Sequence, residues 1–157
     1  MSHNDHVGHL ERLAGYAAAK AAVAVGLAGI ALIHLLDSIG KYNETRYLFW
    51  MYVGLMIASL AVAGWLLVKG TRAAWLAAGA LSLSVLAGFV LSRTTGLPNA
   101  TGDVGNWTEP LGLASMFVEG AVIVASGLGL RLHQRLRAHA PVVLTLAPDE
   151  RLAAEAA

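Results

Sequence analysis

Glu119 interrupts an apolar run that otherwise carries no charge from Pro110 to Leu130. It lies about ten residues into that run, roughly 15 Å along a helix axis at 1.5 Å per residue. A carboxylate surrounded by hydrocarbon is costly, so residues of this kind pair with another group or serve a site. Gly112, Ser115 and Ser126 stand at −7, −4 and +7 from it, on the same helical face. The resulting polar stripe is expected to point into a helix bundle. A second constellation is His34, Asp37, Ser38 and Lys41, whose three- and four-residue spacing forms one ridge. A carboxylate at this distance orients an imidazole in metal sites and in proton relays alike. The third is a Gly-, Pro- and Asn-rich stretch that begins at Arg93 and carries Asp103, Asn106, Trp107 and Glu109. Asn106 and Glu109 have capping-box spacing, with Pro110 in the first turn, so Glu109 is expected to act mainly as a cap. Arg93 and His34 are the groups expected to reach Glu119.

These residues define the chemistry open to the chain. His34, Asp37, Glu109 and Glu119 together would hold a divalent ion, with His34, Asp37 and Glu119 as the metal candidates. Nothing in the spacing fixes how they meet across helices. Haem held by two histidines is disfavoured, because His133 and His139 lie toward the opposite end from His34. A His34 pair with Met51 or Met116 stays open. His3, His6 and His9 offer loose metal binding, and the Met1-Ser2-His3 start places an imidazole in position three for square-planar copper or nickel chelation with the terminal amine, beside the reading of a polar tail. The chain has no Cys, which removes thiolate ligands and nucleophiles. No phosphate-binding glycine loop, serine elbow or zinc-protease pattern is present. No cofactor is clearly indicated.

The elements that must position these groups follow from composition. The chain has 157 residues, 57% of them hydrophobic and 13% charged, with a mean hydropathy of +0.61. A soluble domain carries roughly 25% charged residues, so lipid is expected to cover most of the outside. A net charge of +1 supplies no basic stripe for nucleic acid. The polar, mixed-charge N-terminus does not lead into a cleavable apolar core, so the first apolar segment is read as a retained span.

Crossing hydrocarbon takes about 20 apolar residues. Spans are expected over 17–37, 47–68, 73–93 and 110–131, joined by loops around 38–46, 69–72 and 93–109. Residues 1–16 form an N-terminal tail or interfacial helix, 17–132 the transmembrane domain, and 133–157 a C-terminal tail. With the N-terminus inside, the inner side holds Arg12, Lys20, Lys69, Arg72, Arg131, Arg135, Arg137 and Arg151, against Lys41, Arg46 and Arg93 outside. That asymmetry predicts both termini in the cytoplasm. Tyr42, Tyr47, Trp50, Tyr52 and Trp107 gather toward the outer interface, and Tyr16, Trp65 and Trp75 toward the inner one. Small residues at Ala18, Ala22 and Gly26, and at Ala80, Ser84, Gly88 and Ser92, permit close helix packing. The expected fold is an all-α, antiparallel four-transmembrane-helix bundle, N-in and C-in.

The segment AGIALIHLLDSIGKYNETRYLFWMYVG, followed later by LSRTTGLP and EPLG, resembles small four-span integral membrane proteins of actinobacteria. The shared features are a His ending the first span (His34), a Glu-Xaa-Xaa-Tyr-Leu turn (Glu44, Tyr47, Leu48), the Leu91–Pro98 block, and the Glu109–Pro110 start of the last span. The resemblance covers residues 25–125 and implies topology and candidate residues, without an activity. A looser architectural likeness to DoxX-like four-helix proteins implies a redox role, from which the first span's pattern departs.

The leading expectation is a non-catalytic accessory or ligand- or metal-binding protein of the bacterial cytoplasmic membrane. His34, Asp37, Glu44, Arg93, Glu109 and Glu119 would form a polar network in the outer half of its bundle. The alternatives are a membrane-embedded oxidoreductase or metal-dependent enzyme, and a small proton-coupled transporter subunit with Glu119 as relay. Expected partners are the lipid bilayer and a second copy or another membrane protein, and not nucleic acid.

Overall fold

The computed structural model describes residues 3–138. Residues 139–157 and the side chains of 3–7 and 9 lie outside the described residues. With them go the chelation reading of His3, His6 and His9 and most of the expected C-terminal tail. The described chain is four helices: α1 (His3–Glu44), α2 (Arg46–Lys69), α3 (Arg72–Thr94) and α4 (Pro110–Ala138). Each contains a segment long and apolar enough to cross a membrane. Large apolar side chains such as Val25, Val68 and Phe117 face outward from the bundle, as lipid contact requires and water contact would penalise.

Two boundaries differ from the sequence reading. The polar loop expected over 38–46 is helix up to Glu44, and Thr45 alone connects α1 to α2. The ridge of Asp37, Ser38 and Lys41 turns inward, so its polarity marks a helix face and not a loop. The Lys41 carbonyl accepts the Thr45 N–H at 2.9 Å, while Thr45, at φ −146°, leaves the helical region and reverses the chain. At its other end α1 begins at His3, ahead of the expected span. Its 42 residues span about 63 Å, twice the hydrocarbon thickness.

The α2–α3 connection is tighter in chemistry. Gly70 takes φ +54° and its N–H bonds the Leu66 carbonyl at 2.9 Å, the left-handed ending that glycine adopts without steric cost. Thr71 then caps α3, its side chain accepting from the Ala74 N–H. Tyr16 of α1 locks this end. Its hydroxyl donates to the Gly70 carbonyl at 2.8 Å, which spends its one proton. The same oxygen therefore accepts from Trp75 Nε1 at 3.4 Å and His133 Nδ1 at 3.3 Å. All four helices thus meet at one phenol.

Around the bundle α1 packs against α2 and α4, and α3 against α4, while α2 and α3 touch far less and α1 and α3 lie diagonally opposed. The hydrophobic core explains this imbalance. Val23, Ala24, Leu27 and Ile30 of α1 meet Ala63 and Leu66 of α2, Ala74, Trp75 and Ala78 of α3, and Val122 of α4. Every one of the α2 and α3 members lies close to the Gly70–Thr71 turn. Beyond it, α2 buries nothing between Leu48 and Ser59, and α3 nothing between Ser82 and Arg93. The two helices are pinned at the turn and splay toward the other end, where Thr45 and the 95–109 loop lie.

Candidate functional site

The splay leaves a cavity of about 270 Å³ in the loop-end half of the bundle. Ile33, Leu48, Met51, Leu55, Val85 and Phe89 make its apolar wall. Its roof is charged: Asp37 and Lys41 from α1, Arg93 from the end of α3, Asp103 from the loop, and Glu109 at the start of α4. On α3 the lining runs from Ser84 to Arg93, about 13 Å of helix.

Arg93 organises the roof. Its side chain is 5% exposed, with Nη1 3.1 Å from Asp103 Oδ1, Nη2 on Glu109 Oε2, and the guanidinium carbon 4.9 Å from the Phe89 ring centroid. A buried guanidinium needs such compensation, because desolvating a lone charge costs several kcal/mol. Lys41 Nζ stands 3.7 Å from Asp103 Oδ2 and 3.2 Å from Glu44 Oε2. The chain Glu44–Lys41–Asp103–Arg93–Glu109 therefore alternates in sign and ties α1, α3, α4 and the loop together. Glu44 is its solvent-facing end, exposed and outside the cavity lining.

The loop is shaped to deliver Asp103. Gly96, at φ +76°, ends α3 by bonding the Leu91 carbonyl, and Gly105, at φ +80°, returns its N–H to the Arg93 carbonyl at 2.9 Å. Asn99 takes φ +56° in the turn closed by Leu97 and Ala100. The Tyr47 hydroxyl donates to the Pro98 carbonyl at 2.7 Å, fastening the loop to α2.

Glu109 is not the expected capping-box member. α4 begins at Pro110, so Glu109 is itself the cap residue, its carbonyl accepting the first helical bond from the Leu113 N–H at 3.0 Å. Asn106 lies outside the helix, and the Glu109 carboxylate goes to Arg93. The register is set by proline at the first helical position, one turn later than the box requires.

The ridge reading of α1 matches the geometry. His34, Asp37 and Lys41 all line the cavity, while Ser38 is buried and donates to the Leu35 carbonyl. His34 Nδ1 lies 2.9 Å from the Ile30 carbonyl. A carbonyl only accepts, so Nδ1 carries a proton, and in the neutral ring Nε2 keeps its lone pair. The ring packs edge-on against Tyr52, centroids 5.1 Å apart, and the Tyr52 hydroxyl interacts with Asp37.

Glu119 is fully buried with Ser115 and Ser126, as its helical stripe requires. Neither Arg93 nor His34 bonds it. Its Oε1 accepts from the Ser115 hydroxyl, and Oε2 has no hydrogen-bond partner. Arg93 is held by the two carboxylates at the roof and His34 by the carbonyl one turn back, so neither side chain is left to reach down. Ser115 lines the cavity and is the link between it and Glu119. The metal set is likewise not assembled: among the described residues, no three His, Asp or Glu side chains converge to hold an ion. Met51 shares the cavity with His34, whereas Met116 faces a shallow apolar groove on α4. Tyr52 and Phe89 were outside the expected site, and Asp103, though noted in the polar stretch after Arg93, was not among the six expected network residues. Asp103 comes from a glycine-shaped loop without periodicity, and the two aromatic residues read as ordinary span residues.

Comparison with known proteins finds no matching family model, no matching curated protein and no matching solved structure.

Proposed function

We propose that this chain is a multi-pass protein of the bacterial cytoplasmic membrane, N-in and C-in, that binds a small ligand non-catalytically in the outer half of its bundle. The excess of Lys and Arg at the Gly70–Thr71 end and near both termini supports that orientation. It puts the charged roof at the outer interface. The likeness to four-span actinobacterial proteins supports the same topology.

The observation that carries the binding role is the placement of the core. Small helical bundles fill their interiors at close to crystal density. Here the inner half is filled around Trp75, Leu27 and Leu66, while the outer half encloses about 270 Å³ beneath a braced ionic roof. A concave, mainly apolar space with a few convergent polar groups is the usual form of a ligand site. Gly88 tests this directly, since it lines the cavity and a Cβ added there meets no atom within 4 Å. Native mass spectrometry of protein released from its own membrane should show an adduct of constant mass on the parent chain that Gly88→Leu loses. An adduct retained equally by both, or found on neither, contradicts the binding role.

A further inference from the structure

The identity of the ligand can be narrowed by counting what the cavity offers. This step rests on the binding role proposed above. The ionisable lining residues are Lys41 and Arg93 against Asp37, Asp103 and Glu109, which leaves one negative charge in excess with His34 neutral. The surplus is Asp37. Asp103 and Glu109 are paired to Arg93, whereas Asp37 has no ion-pair partner among the described residues.

A second count points the same way. Ser84 and Ser92 donate their hydroxyl protons to the Leu81 and Phe89 carbonyls, each at 2.7 Å, and Ser115 donates to Glu119. His34 spends its Nδ1 proton on Ile30. What these groups can still present is lone pairs, joined by the carboxylate of Asp37. The remaining side-chain donors lie on Tyr52, whose hydroxyl faces Asp37, and on Lys41 and Arg93. Lys41 serves two carboxylates, and Arg93, whose Nε and Nη1 make no hydrogen bond, has its charge neutralised by Glu109 and by Asp103 at 3.1 Å. The cavity is thus short of positive charge, and the serine and Nδ1 protons along its wall are already spent. An anionic head would meet three carboxylates there.

The apolar side has a direction. α2 buries nothing between Leu48 and Ser59 and α3 nothing between Ser82 and Arg93, and Met51, Leu55, Val85 and Gly88 line the cavity along those two helices. In a bilayer this opening faces acyl chains. We infer that the cavity takes a lipophilic amine, a protonated ammonium head on a hydrocarbon tail, which enters from the membrane between α2 and α3. The head sits below the roof against Asp37 and the free lone pair of His34 Nε2, and the tail lies in the slot beside Gly88. The N–H groups of the head fill the acceptors, and its charge cancels the surplus.

Four probes of one chain length separate the terms: dodecylamine, dodecyltrimethylammonium, dodecanol and dodecanoate. Each is titrated at neutral pH into phosphatidylcholine nanodiscs carrying the parent chain, Asp37→Asn or Gly88→Leu, and into protein-free nanodiscs as the blank for partition. The parent should bind dodecylamine above the blank, and more tightly than the other three. Asp37→Asn should weaken it by roughly tenfold or more, the loss of one charge-assisted hydrogen bond. Gly88→Leu should reduce binding to the blank, with its thermal unfolding unchanged. Equal binding of dodecylamine and the quaternary ammonium overturns the acceptor argument. Dodecanol or dodecanoate binding as well as the amine, or Asp37→Asn without effect, overturns the cationic assignment but keeps the cavity as a binding site. A parent chain that binds none of the four above the blank overturns the lipophilic-amine assignment, while the native adduct still decides the binding role; Gly88→Leu binding like the parent overturns the placement of the tail in this cavity.

Discussion

Chains carrying both Asp103→Asn and Glu109→Gln should lose more stability than chains carrying Arg93→Leu, although the latter removes the centre of the network. The reason is the unequal burial of the partners. Arg93 is 5% exposed, against 37% for Asp103 and 33% for Glu109. Neutralising both carboxylates leaves a guanidinium in a site that water reaches poorly, and an uncompensated buried charge costs about 3–5 kcal/mol. Removing Arg93 leaves two carboxylates that are each about one-third exposed and recover part of their hydration. That loss should be about 2 kcal/mol, between the cost of an unmade charged hydrogen bond and that of an exposed pair. Thermal unfolding of the variants in a common detergent reads the order. Arg93→Leu proving the more damaging would mean that the guanidinium is better hydrated than its burial indicates.

Gly129→Ala should be the most damaging single methyl that can be added to the inner core. Its Cβ would fall on the six-membered ring of Trp75, which is 1% exposed and bonded through Nε1 to Tyr16. A rigid ring fixed at both ends cannot step aside, and overpacking of this kind costs about 1–3 kcal/mol or more. Gly26→Ala makes the informative contrast. Its Cβ meets one methyl of Val122, so a single χ1 must turn instead of a whole indole, at about 1 kcal/mol for leaving the rotamer a helix prefers. Replacing glycine by alanine inside a helix also returns up to about 1 kcal/mol. Gly26→Ala should therefore lie near the parent in thermal unfolding, and Gly129→Ala well below it. Combining Gly129→Ala with Trp75→Leu should restore part of the loss. Gly129→Ala unfolding with the parent would show that α3 and α4 do not approach as closely as Trp75 requires.

Helical periodicity carried as far as helices go. The Glu119 stripe of Gly112, Ser115 and Ser126 is wholly buried, and the His34, Asp37, Lys41 ridge faces the cavity, because residues on one helix keep their angular relation whatever the tertiary context. The network across elements was not legible in this way. Arg93 stands ten residues from Asp103 and sixteen from Glu109, and their meeting depends on positive-φ turns at Gly96, Asn99 and Gly105. No hydrophobic period encodes that path. Asn106 and Glu109 misled for a related reason: the spacing of a capping box was present, but Pro110 started the helix after Glu109. The Tyr16 lock joins residues 54 and 117 apart, and Tyr16 looked like an interfacial aromatic. Polar residues near a span end gave the false loop at 38–46, since a helix whose polar face turns inward has the same composition as a loop.

The central proposal is that the loop end of the bundle faces outward and holds an accessible polar-roofed cavity, while the Gly70–Thr71 end is a closed core. The chain has no Cys, so single cysteines report it without background. Ser92→Cys sits in the cavity lining, Ala78→Cys in the core and Thr71→Cys at the α2–α3 turn. In sealed vesicles of the cell's own orientation, a membrane-impermeant thiol reagent added outside should label Ser92→Cys, leave Ala78→Cys untouched, and reach Thr71→Cys only after the membrane is permeabilised. Labelling of Thr71→Cys from outside, or a Ser92→Cys that no reagent reaches from either side, would contradict it.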